Sequence, residues 1–150
     1  MLVADHTNLD AALRKVAATA KVSLPAAPNA EQRAMQAQLM NASAGEFDAI
    51  FVAGQIKGHA KAMALGEQEL SKGTDAAVKK AAAASAPVIK GHHTKFMAQA
   101  KSMGLPEAVD SGLSGAAATS TNALSAGLIG LGALLIISGF VLAVHHRLVR

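Results

Sequence analysis

The segment from Glu46 to Lys72 constrains the fold of this chain more than any other stretch of the sequence. On a helical wheel of about 100° per residue, its large apolar side chains fall in one half-circle and its lysines fall in the other. This pattern predicts a long amphipathic helix. Three polar residues, Asp48, Gln55 and His59, nevertheless lie in the middle of the apolar half. Because an unpaired buried polar group costs roughly 1–3 kcal/mol, we expect these side chains to have partners in the interior.

The residues before this segment predict one further main helix and a short connecting helix. Residues 2–22 carry apolar side chains on a single stripe at helical spacing. The two prolines of residues 23–29 then interrupt helix formation, because proline disfavours the helical conformation of the residue before it. Asn29 is predicted to cap a short helix that ends near Met40, with Glu31 favourably placed in its first turn.

A third main helix is predicted after a turn at Gly73. Gly73 is expected to end the long helix, and Thr74 is the predicted N-cap of the next one. Pro87 is expected to kink this helix rather than end it, since apolar residues return at helical spacing up to Met103. Gly104 has the position of a residue that ends a helix in the left-handed conformation. The predicted fold is therefore all-α, with three main helices and one short connecting helix.

The composition limits what the predicted domain, residues 1–104, can do. The chain has no Trp, no Tyr and four Phe, so a core built from it is thin. The absence of Cys excludes disulfide bonds and thiolate metal sites. The net charge of +4 is spread along the chain without a basic stripe interleaved with aromatic residues, so we expect no nucleic-acid partner. Motifs of serine hydrolases, phosphate-binding loops and zinc proteases are missing, and we expect no turnover chemistry.

The C-terminal third has the pattern of a membrane anchor. Residues 105–122 are rich in Gly, Ser, Thr and Ala and are predicted to form a flexible linker. Residues 123–144 are 22 residues without a charge, about 33 Å as a helix, which matches a bilayer core. The basic tail, residues 145–150, is expected to face the cytoplasm. We interpret the chain as a single-pass membrane protein, with the lipid bilayer as a partner and the helical domain on the side away from the cytoplasm.

The predicted transmembrane helix also contains glycines that bear on its partners. They are Gly127, Gly130, Gly132 and Gly139. Small residues would let another membrane helix approach closely, from a partner or from a second copy of the chain. A Gly-rich helix that faces lipid is an equally good interpretation of the same residues.

Each of the three main helices places a histidine on its apolar face: His6, His59 and His92. His59 lies 14 residues before Gly73 and His92 lies 19 residues after it. Their heights along a helical hairpin that turns at Gly73 therefore differ by only about 7 Å. Neutral imidazole is a common ligand of copper, iron and zinc, and a ligating histidine usually donates its other ring N–H to a carboxylate. The spacing predicts that His59 and His92 approach one another across the bundle.

The predicted metal site has five residues: His6, His59, His92, Asp5 and Asp48. The two aspartates are the candidate carboxylate partners of the histidines. A repeated His-x-Lys-x-Met-Ala pattern at residues 59–64 and 93–98 favours copper, although Met is more often core filler, and iron is the other candidate. The alternative interpretation needs no metal, because the histidines could be hydrogen-bonded in the core to Asp48, to Gln55 or to backbone carbonyls.

A di-iron oxidoreductase is a third interpretation, and the sequence weakens it. Carboxylate-bridged di-iron sites in helical bundles use a Glu-x-x-His pattern, which the chain lacks. The nearest carboxylates, Glu67 and Glu69, are expected on the polar side of the long helix or near its edge.

Five short motifs, in their order and spacing, resemble one family of proteins. They are V-A-D-H-T at residues 3–7, Leu-Pro at 24–25, F-D-x-x-F at 47–51, G-H-x-K-A-x-A-L at 58–65 and P-x-x-x-x-H at 87–92. Together they are similar to the DUF4142 family over roughly residues 1–105. The resemblance implies a ferritin-like helical bundle, bacterial and usually exported or in the outer membrane, of unassigned biochemical function. Together with the predicted anchor, it implies a single-pass protein of the bacterial inner membrane, with the helical domain in the periplasm and the C-terminus in the cytoplasm. It also places the five candidate site residues on the polar core positions of the family.

Three departures from the family pattern bear on what the resemblance implies. Phe51 replaces a usual Tyr, and Gly58 and Ala60 replace a more acidic pair beside His59, which weakens an acid-assisted metal site. The family also has a helix and an export signal before the D-H-T motif, whereas this chain begins at Met1. We expect either that Met1 is an internal methionine of a longer reading frame, or that self-association or a partner helix covers the open apolar side of the bundle.

The function predicted from the sequence is that of a membrane-anchored, ferritin-like domain, incomplete by one helix. We expect it to bind a transition metal through its core histidines in the bacterial envelope. The alternative is a non-catalytic accessory subunit of a membrane complex, with a polar core that is satisfied without metal.

Overall fold

The computed structural model describes residues 2–106, which are all-α and contain no strand. The helices are α1 (Leu2–Thr19), α2 (Ala30–Asn41), α3 (Ala44–Lys72) and α4 (Ala76–Ser102). Three of them are long and α2 is short, which confirms the predicted all-α arrangement of three main helices and a connecting helix. The first helix ends at Thr19 rather than at residue 22, and Lys21 takes a positive φ of 54° as the chain leaves it.

The start of α2 confirms Asn29 as its N-cap. The Asn29 side chain accepts a hydrogen bond from the backbone N–H of Gln32 at 3.0 Å, and the Gln32 side chain accepts one from the backbone N–H of Asn29 at 2.5 Å. This reciprocal pair satisfies two backbone groups that have no partner within the helix. At the start of α3, the Glu46 carboxylate likewise accepts from the backbone N–H of Ser43 at 3.0 Å.

The turn between α3 and α4 ends one helix at Gly73, as predicted, but the N-cap of the next helix is Asp75 and the prediction of Thr74 is wrong. The Asp75 carboxylate accepts hydrogen bonds from the backbone N–H groups of Ala77 at 2.8 Å and Val78 at 3.0 Å. A carboxylate satisfies both groups, and its negative charge suits the positive end of the helix dipole. These two advantages favour Asp75 over the hydroxyl of Thr74.

Glu69 is fully buried, so its predicted place on the polar side or edge of the long helix is wrong. Its carboxylate lies against the turn: a Cβ atom built on Gly73 would lie 1.9 Å from Glu69 Oε1. The backbone N–H of Gly73 also donates to the Glu69 carbonyl at 2.8 Å. The chain folds back at Gly73 into α4, and this return encloses the last turns of α3.

Pro87 lies within α4 and does not end it, as the periodicity predicts. Proline has no N–H to donate to the carbonyl four residues earlier, which belongs to Ala83. Both Pro87 and Ala83 are exposed, so water can take up the hydrogen bond that the helix loses. After the end of α4, Gly104 has a φ of +67°, which confirms the predicted left-handed residue.

Two apolar clusters hold the bundle together, one on each side of a polar layer. The cluster nearer the α3–α4 turn contains Leu13, Ala17, Ala62, Val78 and Ile89. The other contains Val52, Ile56, Phe96 and Ala100. The helices α3 and α4 pack as an antiparallel hairpin, α1 packs against α4, and α2 packs against α3. Along each of α1, α3 and α4, the histidine lies between residues of one cluster and residues that belong to, or pack against, the other.

The predicted linker, transmembrane helix and basic tail, at residues 105–122, 123–144 and 145–150, lie almost wholly outside the described residues, which end at 106. Residues 2–106 contain no helix with the length and apolar composition of a membrane span.

Candidate metal centre

Three buried histidines meet in the layer between the two apolar clusters. His6 on α1, His59 on α3 and His92 on α4 are exposed by 3%, 0% and 3% of their surface. One nitrogen from each ring lies within 4.8 Å of the other two. The ring centroids are 5.7 Å apart for His6 and His59, 5.2 Å for His6 and His92, and 5.4 Å for His59 and His92. The predicted approach of His59 and His92 across the bundle is confirmed.

Hydrogen bonds indicate which nitrogen of each ring carries a proton. Nε2 of His92 lies 2.8 Å from Oδ2 of Asp5, so this nitrogen donates to the carboxylate and Nδ1 of His92 keeps its lone pair. Nε2 of His6 lies 3.2 Å from that Nδ1 and donates to it. On α3, Nδ1 of His59 donates to the backbone carbonyl of Gln55 at 2.7 Å, which leaves the lone pair of His59 on Nε2.

Two of the resulting lone pairs are buried without a partner. Nδ1 of His6 and Nε2 of His59 have no hydrogen-bond partner among residues 2–106. An unsatisfied buried nitrogen costs roughly 1–3 kcal/mol of folding free energy, so two of them in one layer destabilise a small bundle substantially. These two nitrogens therefore lack a partner that accepts a lone pair. A metal cation is such a partner.

The protonation of the site also suits a cation. The pKa of His6 is lowered to about 4, chiefly by burial and secondly by the charge of His92, while the Asp5 carboxylate partly opposes both effects. Burial likewise lowers the pKa of His59 to about 4, with the hydrogen bond to the Gln55 carbonyl acting in the opposite direction. Both rings are therefore neutral at pH 7 and keep lone pairs for coordination.

Asp5 is placed to orient His92 rather than to face the ion directly. Its side chain is 39% exposed and contacts the Nε2 atom of His92, the ring atom on the far side from His6. The hydrogen bond to His92 lowers the pKa of the Asp5 carboxyl, so it remains a carboxylate at neutral pH. A carboxylate behind a histidine is a recurrent second partner in metal sites, where it orients the ring and raises its basicity.

The spacing of the nitrogens fits one metal ion after a small contraction. Bonds of about 2.0–2.1 Å place two nitrogen ligands of a tetrahedral ion about 3.4 Å apart. Nε2 of His6 and Nδ1 of His92, 3.2 Å apart, already have this separation, and coordination through them requires the His6 proton to move from Nε2 to Nδ1. The ligand nitrogens of the whole group lie within 4.8 Å of one another, so the longer separations must shorten by roughly 1 Å, chiefly through a movement of His59. The three rings could thus hold one ion, with the His6–His92 hydrogen bond replaced by coordination.

Asp48 does not join the group, and its predicted place on the buried face is wrong. It is exposed, like the neighbouring Phe47, of which 42% is accessible. The helical wheel identifies the apolar side of α3 correctly, but no other helix among residues 2–106 covers that side in its first turns. Asp48 therefore does not accept hydrogen bonds from the histidines. A backbone carbonyl and the Asp5 carboxylate accept them instead.

Gln55 is buried as predicted, at 1% exposure, but its amide does not have the expected partner. Neither the oxygen nor the nitrogen of the amide has a hydrogen-bond partner among residues 2–106. The Gln55 backbone carbonyl, rather than its side chain, anchors His59. The direct hydrogen bond between His6 and His92 does not follow from residue spacing, which gives only the heights of His59 and His92.

Comparison with known proteins returns one match. The model of a protein family described as a domain of unknown function, DUF4142, matches residues 1–103. That range includes all four helices and every residue of the histidine layer. Neither the curated proteins nor the solved structures yield a match to the chain.

Proposed function

This chain belongs to the DUF4142 family, and we propose that its helical bundle binds one transition-metal ion through His6, His59 and His92. The observation that carries the proposal is that the buried rings of His6 and His59 each leave a nitrogen without a hydrogen-bond partner, while one nitrogen from each of the three rings lies within 4.8 Å of the other two. Core histidines that serve only packing usually find hydrogen-bond partners for both nitrogens. In this layer each of these two rings leaves one nitrogen without one.

The donor set narrows the choice of metal. Imidazole nitrogen suits copper, iron and zinc, and is a poor match for calcium or magnesium, which prefer oxygen. Copper or iron is the cofactor we propose, and either would supply electron transfer or Lewis acidity to the site. The group contains no carboxylate ligand, since Asp5 contacts the far nitrogen of His92 and Asp48 is exposed. A single ion is therefore better supported than a carboxylate-bridged pair.

The residues around the histidines would prepare them for the ion. The Gln55 carbonyl holds the tautomer of His59 that presents Nε2, and Asp5 holds the tautomer of His92 that presents Nδ1. The Phe96 ring lies 5.7 Å from that of His59 and helps to exclude water from the layer. Rigid helices supply all three nitrogens, so most of the orientation exists before an ion arrives.

We place this bundle in the bacterial envelope. The support is the uncharged segment at 123–144, which is long enough to anchor the chain in the inner membrane, followed by a basic tail at 145–150 suited to the cytoplasmic side. On this proposal the linker at 105–122 joins the anchor to a periplasmic bundle, and the lipid bilayer is a partner.

The second candidate function is a structural or accessory role in a membrane complex. It is favoured by the hydrogen-bonded chain from His6 through His92 to Asp5, which forms without an ion. Exposed apolar side chains at the starts of two helices, Val3 at 59% and Phe47 at 42%, would then contact a partner helix or a second copy of the chain.

Metal content decides between the two functions. We would purify the full-length protein in detergent and measure bound metals by mass spectrometry, together with His6→Ala, His59→Ala and His92→Ala. His93→Ala is the matched control, because His93 is the next residue on the same helix and is outside the three-histidine group. Stoichiometric copper or iron that is lost in the three variants and kept in the control supports metal binding. Folded wild-type protein that takes up no metal, even after incubation with each ion, supports the accessory role.

A further inference from the structure

Gln55 is a buried polar group that the three-histidine site does not yet use. It is 1% exposed, and both polar atoms of its amide are buried without a hydrogen-bond partner among the described residues. Leaving a donor and an acceptor unsatisfied in the interior is costly, whereas an apolar side chain of the same size would avoid the cost. The amide therefore needs a polar partner that the protein chain itself does not supply.

Gln55 is one helical turn from His59, a member of the histidine layer. Gln55 and His59 are four residues apart on α3, so their side chains occupy the same face on successive turns. Side chains on a helix lean towards its N-terminus, and the bond from Nδ1 of His59 to the Gln55 carbonyl shows that this ring lies over the turn that carries Gln55. The other neighbours on these turns, Val52 and Ile56, are apolar and fully buried.

Three histidine ligands leave one position of a tetrahedral ion for a ligand from outside the protein. Sites of this kind keep water or substrate in that position, and closed structural sites use a fourth side chain instead. The three-histidine group has no fourth protein ligand of the His, Cys, Asp or Glu type among residues 2–106. The missing ligand of the ion and the missing partner of Gln55 can thus be the same small molecule.

We propose that the Gln55 amide holds a water molecule or hydroxide in the open coordination position of the metal ion bound by His6, His59 and His92. This inference rests on the metal site proposed above. The amide N–H donates to the bound oxygen, and the amide oxygen accepts from a proton of bound water. A small anion that coordinates the ion can replace the water and accept the same N–H hydrogen bond. Gln55 is thus a positioning residue for the open site.

Azide binding to the cobalt-loaded protein tests the assignment. Co²⁺ reports its coordination through its visible absorption, so addition of Co²⁺ and then of azide gives two dissociation constants for the full-length protein in detergent. At saturating Co²⁺, we expect Gln55→Leu to bind azide about three- to tenfold more weakly than wild type, the effect of one net hydrogen bond. Gln68→Leu, at a half-buried glutamine farther along the same helix, is the matched control and should bind both as wild type does.

The possible failures are distinguishable. If wild type binds no Co²⁺, the metal site itself is refuted and the role of Gln55 falls with it. If wild type binds Co²⁺ but azide leaves its spectrum unchanged, or if Gln55→Leu binds azide as tightly as wild type, the metal site stands and the role of Gln55 is overturned. Where Gln55→Leu does not fold, as judged by circular dichroism, Gln55→Met replaces it: its side chain has nearly the same length and no N–H to donate to azide, so it should weaken azide binding as much.

Discussion

The ring of His6 stacks on the ring of His92 across the interface of α1 and α4, with centroids 5.2 Å apart and planes inclined by 13°. The two rings are joined by a single proton, since Nε2 of His6 lies 3.2 Å from Nδ1 of His92. Protonation of both rings would place a donor on each side of this contact and two positive charges in a buried layer. The neutral state of His6 is therefore part of what holds α1 to the hairpin.

The metal-free protein should lose stability as the pH falls from 6.5 towards 4. The pKa values of His6 and His59 are about 4 in the folded protein and about 6.5 in the unfolded chain, so the unfolded state binds more protons in this range. Stability must then rise with pH up to about 6.5 and level off above it. At pH 5 the loss relative to pH 7 is no more than about 2 kcal/mol for each histidine.

Urea denaturation of chelator-treated protein at pH 7 and pH 5 measures this loss. His59→Leu removes one of the two groups and should reduce the difference between the two pH values. His93→Leu is the control and should keep most of it, since His93 is outside the buried trio. Equal stability of wild type at the two pH values would contradict the neutral, buried state of these rings.

Metal should raise the thermal stability of the bundle, because an ion held by three helices binds the folded state alone. At a free metal concentration of 100 times the dissociation constant, the gain is about 2.7 kcal/mol. For a domain of this size that corresponds to roughly 10 °C or more in melting temperature. Thermal scans with and without copper or iron test it: the shift should disappear in His59→Ala and persist in His93→Ala. A shift of the same size in both variants would place the bound metal elsewhere.

Residue spacing predicts the helices of this chain better than it predicts the environment of their polar residues. The heights of His59 and His92 follow from the helical rise and the turn at Gly73, and the structure confirms that they meet. Asp48 lies on the same apolar arc but is exposed, because a helical wheel identifies a face without saying whether another helix covers it. The pairing of His6 with His92 depends on how α1 is rotated against α4, and periodicity carries no information about that rotation.

The loss of the Asp5 charge should weaken metal binding without removing the site. In Asp5→Asn the side-chain oxygen can still accept from Nε2 of His92, so the ring keeps its orientation, but the negative charge that raises its basicity is gone. Removal of such a second partner typically lowers metal affinity about 10- to 100-fold. Asp10→Asn is the control on the same helix, because Asp10 pairs with Arg14 on the surface at 2.7 Å. Competition with a chromogenic chelator gives both affinities, and equal values would show that Asp5 has no part in the site.

Two glycines of α3 and its C-terminal turn should respond in opposite directions to substitution by alanine. A Cβ atom on Gly73 would lie 1.9 Å from Oε1 and 2.5 Å from the backbone oxygen of Glu69, so the enclosed carboxylate and the turn must both move. We expect Gly73→Ala to cost about 1–3 kcal/mol, the usual cost of overpacking. A Cβ atom on Gly66 would have no neighbouring atom within 4 Å. Gly66 lies inside the helix, where alanine is favoured over glycine by about 0.5–1 kcal/mol. Chemical denaturation of Gly73→Ala and Gly66→Ala measures both changes, and a neutral Gly73→Ala would mean that Glu69 can leave the turn freely.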